Sequence, residues 1–145
     1  MKMKKLNVVW LGVVTMTVFS IATAGVVQPA PVTVEIEQDG SGTASGDMLA
    51  ARFSGNDVEL IGCGVRKFDF GTPFTFGFCQ AVDSTGQEAF CSTDSAHLLD
   101  GMARADYAFV TFSWNADGMC TRIGNSVQSF YLPSEVQSTK TKKKK

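Results

Sequence analysis

Four cysteines carry the plainest chemistry in this sequence. They lie at positions 63, 79, 91 and 120, separated by long intervals, and the chain has a single histidine, His97. A structural zinc site needs closely spaced ligands, so this even number of cysteines favours two disulfides formed in an oxidising compartment. We therefore interpret Cys63, Cys79, Cys91 and Cys120 as disulfide partners and expect neither a metal nor a cofactor.

A predicted hairpin indicates which cysteines lie opposite each other. Residues 74–78 have phenylalanine at every second position, so three rings face one side of a strand and Cys79 faces the other. Residues 83–86 are turn formers, and a three-residue loop centred on Thr85 places Cys79 opposite Cys91. This register favours the pairing Cys79–Cys91.

The remaining two cysteines would then form Cys63–Cys120. Four cysteines allow three connectivities. The pairing Cys63–Cys79 with Cys91–Cys120 is the alternative to the one that the hairpin favours.

His97 is the one residue that invites a catalytic interpretation, because Asp94, Ser95 and Asp100 lie near it in the sequence. A Ser-His-Asp triad is defined by spatial geometry, and no G-x-S-x-G motif accompanies this set. We interpret His97 as a solvated residue of a short helix. No catalytic residue can be identified from the sequence, and we expect that the protein is not an enzyme.

Three aromatic residues form the candidate binding surface that the sequence offers. Tyr107, Trp114 and Tyr131 occur in or beside predicted strands, and Trp114 stands just before a turn. Amphipathic rings at such positions are compatible with a platform for sugar. The alternative, and the more frequent role of a Trp at a strand end, is that Trp114 covers the edge of the core.

Charge is divided unevenly along the chain. Three lysines lie within the first five residues and five more in the last six, which leaves five basic residues against 14 acids and a net charge of −9 for the body between them. An acidic body argues against nucleic acid as a partner, since phosphates are neutralised by Lys and Arg. The tail residues are candidates for attracting an anionic polysaccharide, lipid headgroups or the acidic body of another copy, or they only solubilise the chain: Lys140, Lys142, Lys143, Lys144 and Lys145.

The N-terminus predicts export. Lysines precede an uncharged apolar run over residues 6–21, and Ala22-Thr23-Ala24 provides a cleavage site with no cysteine nearby for lipid attachment. We expect residues 1–24 to be a cleavable signal peptide, which is then the sole membrane contact, and the mature protein to be secreted or periplasmic. Residues 25–31 read as an extended lead-in, 32–133 as the disulfide-stabilised domain, and 134–145 as a disordered tail.

The domain itself predicts an all-β fold. Short alternating runs separated by Gly, Asn and Asp indicate six to eight strands, among them residues 48–54, with a loop over 67–72 and one short helix near 95–104. Such a chain forms a small antiparallel β-sandwich or barrel.

The sequence permits three hypotheses for the function of the protein. We favour a non-enzymatic binding module for a glycan, a cell-envelope component or a protein. A structural or assembly component that associates with itself through its acidic body and basic tail is the alternative, and a small hydrolase or an enzyme inhibitor comes last.

Overall fold

The computed structural model describes residues 26, 28, 30–103 and 109–131. The predicted signal segment, Tyr107, residues 25, 27 and 29 of the lead-in and the whole tail from 134 onward lie outside these residues. The described elements are β1 (Thr33–Ile36), β2 (Gly42–Asp47), α1 (Met48–Arg52), β3 (Leu60–Asp69), β4 (Pro73–Val82), β5 (Glu88–Thr93), α2 (Ala96–Ala103), β6 (Phe109–Trp114), β7 (Cys120–Ser126) and a 3-10 turn (Ser129–Tyr131).

The strands form two antiparallel sheets, which confirms the predicted all-β fold. One sheet has the order β1-β2-β6-β7 and the other has the order β3-β4-β5. A single parallel bridge between Ser92 and Met119 links β5 to the start of β7. The sheets therefore pack in the manner of a β-sandwich and are joined along one side.

The core lies between the inner faces of the two sheets. Val110, Phe112 and Trp114 alternate along β6 with their side chains buried, as expected for a central strand that packs on one face. Cys79 and Ala81 face them from β4 and are also buried. Small residues dominate this interior, so few side chains fill it and the disulfides contribute part of the packing.

Helix α1 replaces the strand that we predicted over residues 48–54, and that prediction is wrong. The Asp47 side chain accepts a hydrogen bond from the Ala50 N–H at 2.7 Å, which satisfies one of the unpaired donors of a first helical turn. The residues that follow, Met-Leu-Ala-Ala-Arg, are good helix formers. An N-cap followed by helix formers outweighs the largely apolar composition that resembles a strand.

Helix α2 confirms the short helix predicted near residues 95–104. It packs on the inner side of β3 and β4, where Gly77 provides the space for it. A Cβ atom at Gly77 would lie 2.2 Å from the sulfur of Met102 and 2.8 Å from a methyl carbon of Leu99. Glycine at this position therefore sets how closely the helix approaches the sheet.

The hairpin turns are closed by side-chain oxygens. The Asp83 carboxylate accepts bonds from the N–H and hydroxyl groups of Thr85 at 2.8 and 2.6 Å, and Gly86 has a φ of 84°, as the predicted three-residue loop requires. The Asn115 side chain accepts from Met119 N–H at 2.9 Å in the same way. These oxygens serve the turns, which is the interpretation that their sequence favours.

The disulfides are Cys63–Cys79 and Cys91–Cys120, so the pairing that we expected first is wrong and the alternative is present. The predicted hairpin register is nevertheless confirmed, since Cys79 does lie opposite Cys91. Cys79 also lies opposite Cys63 on its other side, with their Cα atoms 4.1 Å apart. That short distance is typical of a pair without mutual backbone hydrogen bonds, in which the side chains approach most closely.

The two disulfides indicate that the chain folds in an oxidising compartment, outside the cytoplasm. Within residues 30–103 and 109–131, both helices are far too short to cross a bilayer.

Candidate binding surface

Six phenylalanines gather on the outer side of the β3-β4-β5 sheet. Residues of one strand alternate between the two faces. The registers of β3 and β5 with β4 place the even-numbered side chains of all three strands on the same side of the sheet. Cys79 and Ala81 point inward from β4, so their neighbours in sequence point outward. We call this surface the phenylalanine face and define it by Phe68, Phe70, Phe74, Phe76, Phe78 and Phe90.

The rings form a continuous series of contacts. Phe68 stacks on Phe74 with ring centroids 5.3 Å apart and planes 13° apart, and on Phe76 at 6.1 Å and 2°. The series continues through Phe78 to Phe90 at 6.2 Å. Offset stacking in this distance range is favourable. Neighbouring rings of the series therefore pack on one another.

The phenylalanine face is exposed. The exposed fraction is 86% for Phe70, 59% for Phe90 and 52% for Phe74. Burying an aromatic side chain contributes on the order of 2–3 kcal/mol, so leaving these rings in water forgoes stabilisation that a core position would provide. Nothing in the described fold uses these three rings as core.

One cation belongs to the phenylalanine face. The Arg66 guanidinium lies 5.0 Å above the centre of the Phe78 ring, within the range of a cation–π contact. Gly64, next to Arg66 along the outer side of β3, lets the Phe78 ring lean over the strand, since a Cβ there would lie 3.1 Å from it. Gln80 is the polar side chain between this group and Phe90.

Most of the phenylalanine face lies on the part of the β3–β4 hairpin that extends beyond β5. β5 pairs with β4 only between Gly77 and Val82, whereas β3 pairs with β4 as far as Asp69 and Pro73. The loop predicted over residues 67–72 is therefore shorter than expected, because Lys67 to Asp69 extend the strand. The outer part of the hairpin is a two-stranded arm that ends at Phe70.

The aromatic residues singled out from the sequence lie elsewhere. Trp114 is 7% exposed, its indole N–H donates to the Gly40 carbonyl oxygen at 2.9 Å, and its ring packs beside Phe112. Tyr131 stacks on Phe109 at 4.9 Å on the other sheet, and Tyr107 lies outside the described residues. Trp114 therefore takes the core-covering position that was the alternative to a sugar platform.

His97 is an exposed residue of helix α2. The tail lysines lie outside the described residues. The sequence did show that three phenylalanines share one side of β4. It lacked any sign that this side faces water, because alternation alone does not tell which face packs on the second sheet.

A groove of about 480 Å³ lies beside helix α1 and the start of β3. Two acidic residues line it, Asp57 and Glu59. Glu59 already serves the fold: one carboxylate oxygen accepts from the Val32 N–H at 3.1 Å and the other from the Asn56 side-chain amide at 2.6 Å. Because these bonds fix the carboxylate, the groove offers no free acid for chemistry at that position.

Three buried sulfurs form the one cluster of potential metal ligands in the described part of the chain. The Sγ atoms of Cys79, Cys91 and Cys120 all lie within 4.8 Å of one another. Each belongs to a disulfide, whereas metal ions bind thiolates. The cluster is therefore structural in the oxidised protein.

Comparison of the chain with protein-family models, with curated proteins and with solved structures finds no match. The phenylalanine face is the feature of the described residues that bears on function.

Proposed function

We propose that this protein is an exported, non-enzymatic binding module that docks an apolar surface of another protein with its phenylalanine face. The observation that carries the proposal is the continuous series of six rings on an exposed sheet face. Contiguous exposed apolar patches on small proteins mark interaction sites. Phenylalanine and arginine are also enriched at the centres of protein interfaces, and both occur here.

A glycan fits this face less well. Sugar platforms offer the flat side of a ring together with nearby hydrogen-bonding groups, but Phe68, Phe74 and Phe76 stack their flat sides on one another. Phenylalanine also has no polar group to bond a hydroxyl. The polar side chains beside the described rings are few: Arg66 lies over the Phe78 ring, and Gln80 lies opposite Phe90.

A lipid surface is disfavoured by charge. The body carries 14 acids against five bases, and Asp69 and Glu88 lie at the borders of the phenylalanine face. Anionic headgroups would repel such a body. The predicted signal peptide and the two disulfides together support a secreted or periplasmic location, where the partner would be met.

Site-specific photo-crosslinking in the producing cells tests the proposal. A benzoylphenylalanine is introduced in place of Phe74, on the face, and in a matched protein in place of Phe53, which is 65% exposed but follows helix α1. We expect a protease-sensitive adduct of defined mass at position 74, little at position 53, and loss of the adduct when Phe76→Ser is added.

Equal labelling at positions 74 and 53 would refute the proposal. Adducts at position 74 that contain lipid or glycan and no polypeptide would replace it with one of the other two partner classes. Flotation with phosphatidylglycerol vesicles provides an independent measure of the lipid alternative.

A further inference from the structure

Strand β3 is an edge strand of its sheet, and helix α1 contacts it. The sheet order is β3-β4-β5, so β3 has a neighbour on one side only. In the described part of the chain, its backbone groups form no backbone hydrogen bond beyond the β3–β4 ladder. Open edges of this length are a template for another strand, and proteins usually protect them.

The short Cys63–Cys79 distance shows which backbone N–H and C=O groups of β3 point away from β4, within the plane of the sheet. A Cα separation of 4.1 Å marks Cys63 as a residue that exchanges no hydrogen bonds with its opposite residue in β4. Its N–H and C=O therefore point away from β4. The alternation along the strand extends this to Val65 and Lys67, and the Val65 carbonyl indeed accepts a long, exposed contact from the Arg66 side chain at 3.4 Å.

The outer side of β3 has large side chains at Arg66 and Phe68 and none at Gly62 and Gly64. The space above Gly64 is already taken by the Phe78 ring and the Arg66 guanidinium of the same copy. A Cβ at Gly62 would meet one atom within 4 Å, the terminal methyl carbon of Met48 at 3.8 Å. The space above Gly62 is therefore open.

We infer that β3 pairs antiparallel with β3 of a second copy about a two-fold axis at Val65. This register places Phe68 of one copy opposite Gly62 of the other, and Arg66 opposite Gly64. Both pairs are of the close kind, and in one of them the Phe68 ring can cover Gly62 across the strands. The backbone N–H and C=O groups of Cys63, Val65 and Lys67, which point away from β4, form about six hydrogen bonds between the copies.

Other registers fit less well. Moving the axis by one residue towards the C-terminus places Arg66 opposite the same arginine of the second copy, and like charges directly opposite are destabilising. Moving it by one residue the other way pairs Gly64 with Gly64 and places Phe68 against Leu60, so the open space above Gly62 is not filled by a ring. Of these three registers, only the pairing at Val65 places a Phe68 ring over Gly62 on both sides of the axis.

Charge also favours this edge for contact between copies. The described residues include 12 acids and four bases, and two of those bases, Arg66 and Lys67, belong to the stretch from Leu60 to Phe68, which has no acid. Repulsion between two acidic bodies is therefore least here. The result is a six-stranded sheet in which the two phenylalanine faces lie side by side, and this arrangement holds whether or not those faces bind a protein.

Sedimentation velocity of the oxidised mature chain tests the inference over a range of concentrations. We expect a reversible dimer, populated at about 100 µM because the contact area is small, and weakened at least tenfold by Gly62→Val. The Cβ atom of that substitution meets only the Met48 methyl carbon, at 3.8 Å, within one copy, and the side chain occupies the space for Phe68 of the other. Thr33→Val on β1, the edge of the other sheet, is the matched control and should leave the association unchanged.

Amide hydrogen exchange provides a second measurement that needs no variant. The N–H groups of Gly64 and Arg66 bond to β4 and should be protected at every concentration, whereas those of Cys63, Val65 and Lys67 should become protected only as the dimer forms. A monomer at all concentrations would overturn the inference. So would a dimer in which these three amides exchange as fast as in dilute solution.

Discussion

Cys79 lies directly opposite Cys91 across the β4–β5 ladder and is not bonded to it. The Asp83 N–H donates to the Gln87 carbonyl oxygen at 3.1 Å, and counting two residues at a time from that pair makes Cys79 and Cys91 a backbone-bonded pair. Such pairs hold their side chains farther apart than the other kind. The Sγ atom of Cys79 nevertheless lies within 4.8 Å of both sulfurs of Cys91–Cys120.

The first prediction concerns exchange within this sulfur cluster. Cys63→Ala frees a thiol at Cys79 beside the Cys91–Cys120 bond, and thiolates exchange with disulfides that they can reach. We expect peptide mapping after incubation in mildly alkaline buffer to find Cys79 bonded to Cys91 or Cys120. Cys79→Ala is the control, because Cys63 is not part of the cluster and its thiol should leave the native bond intact. A Cys63→Ala protein that keeps only Cys91–Cys120 would contradict the expectation.

The second prediction concerns what each disulfide contributes to stability. The two bonds close loops with sequence separations of 16 and 29 residues, and the chain-entropy relation gives about 3 and about 3.6 kcal/mol for these lengths. Replacing Cys91 and Cys120 together by Ala should lower the free energy of unfolding by about that larger amount. Urea denaturation measures it. An unchanged midpoint would show that the unfolded chain is already compact.

The third prediction separates the phenylalanine face from the core. Phe112 is fully buried, so Phe112→Ala should lower the free energy of unfolding by about 3–5 kcal/mol. Phe74→Ser, at an exposed position, should change it by less than about 1 kcal/mol and should reduce the fluorescence of a bound apolar dye such as bis-ANS. Equal losses of stability in the two variants would mean that the face is part of the core.

The fourth prediction follows from the Asp83 turn. The Thr85 hydroxyl, with backbone N–H groups of the turn, lowers the pKa of the Asp83 carboxyl below its ordinary value of 3.8. A carboxyl whose pKa is depressed in the folded state stabilises that state above the unfolded pKa, and the contribution is lost as the pH falls through the folded pKa. Wild type should therefore exceed Asp83→Ala in stability at about pH 6, with the difference shrinking towards about pH 2. A difference independent of pH would contradict this, and a Glu88→Ala protein controls for net charge.

The fifth prediction concerns Gly42. A Cβ at this position would lie 2.3 Å from the Glu35 carbonyl oxygen and 2.4 Å from a ring carbon of Trp114. Because one of these atoms belongs to the backbone of the paired strand, the contact cannot be relieved by a side-chain rotation. Gly42→Ala should cost about 1–3 kcal/mol, measured by thermal or urea unfolding. Gly55→Ala, with open space around it, should cost far less.

Much of the local structure could be predicted from the sequence, because its causes lie within a few residues. Alternating phenylalanines and an Asp-x-x-Gly turn were enough for the β4–β5 register, and the short helix α2 was expected where it occurs. The same local reasoning is wrong for residues 48–54, since a largely apolar stretch of this length fits either element and the Asp47 cap just before it favours the helix.

By itself, then, the sequence determined an all-β domain, its hairpin register and the use of its cysteines in disulfides. Tertiary structure decided which cysteines bond, because Cys79 has a cysteine opposite it on both sides and the choice depends on which ladder pair brings side chains closest. It also decided that Trp114 is buried while the rings of β4 face water. A strand offers two faces, and only the position of the second sheet selects the one that becomes the core.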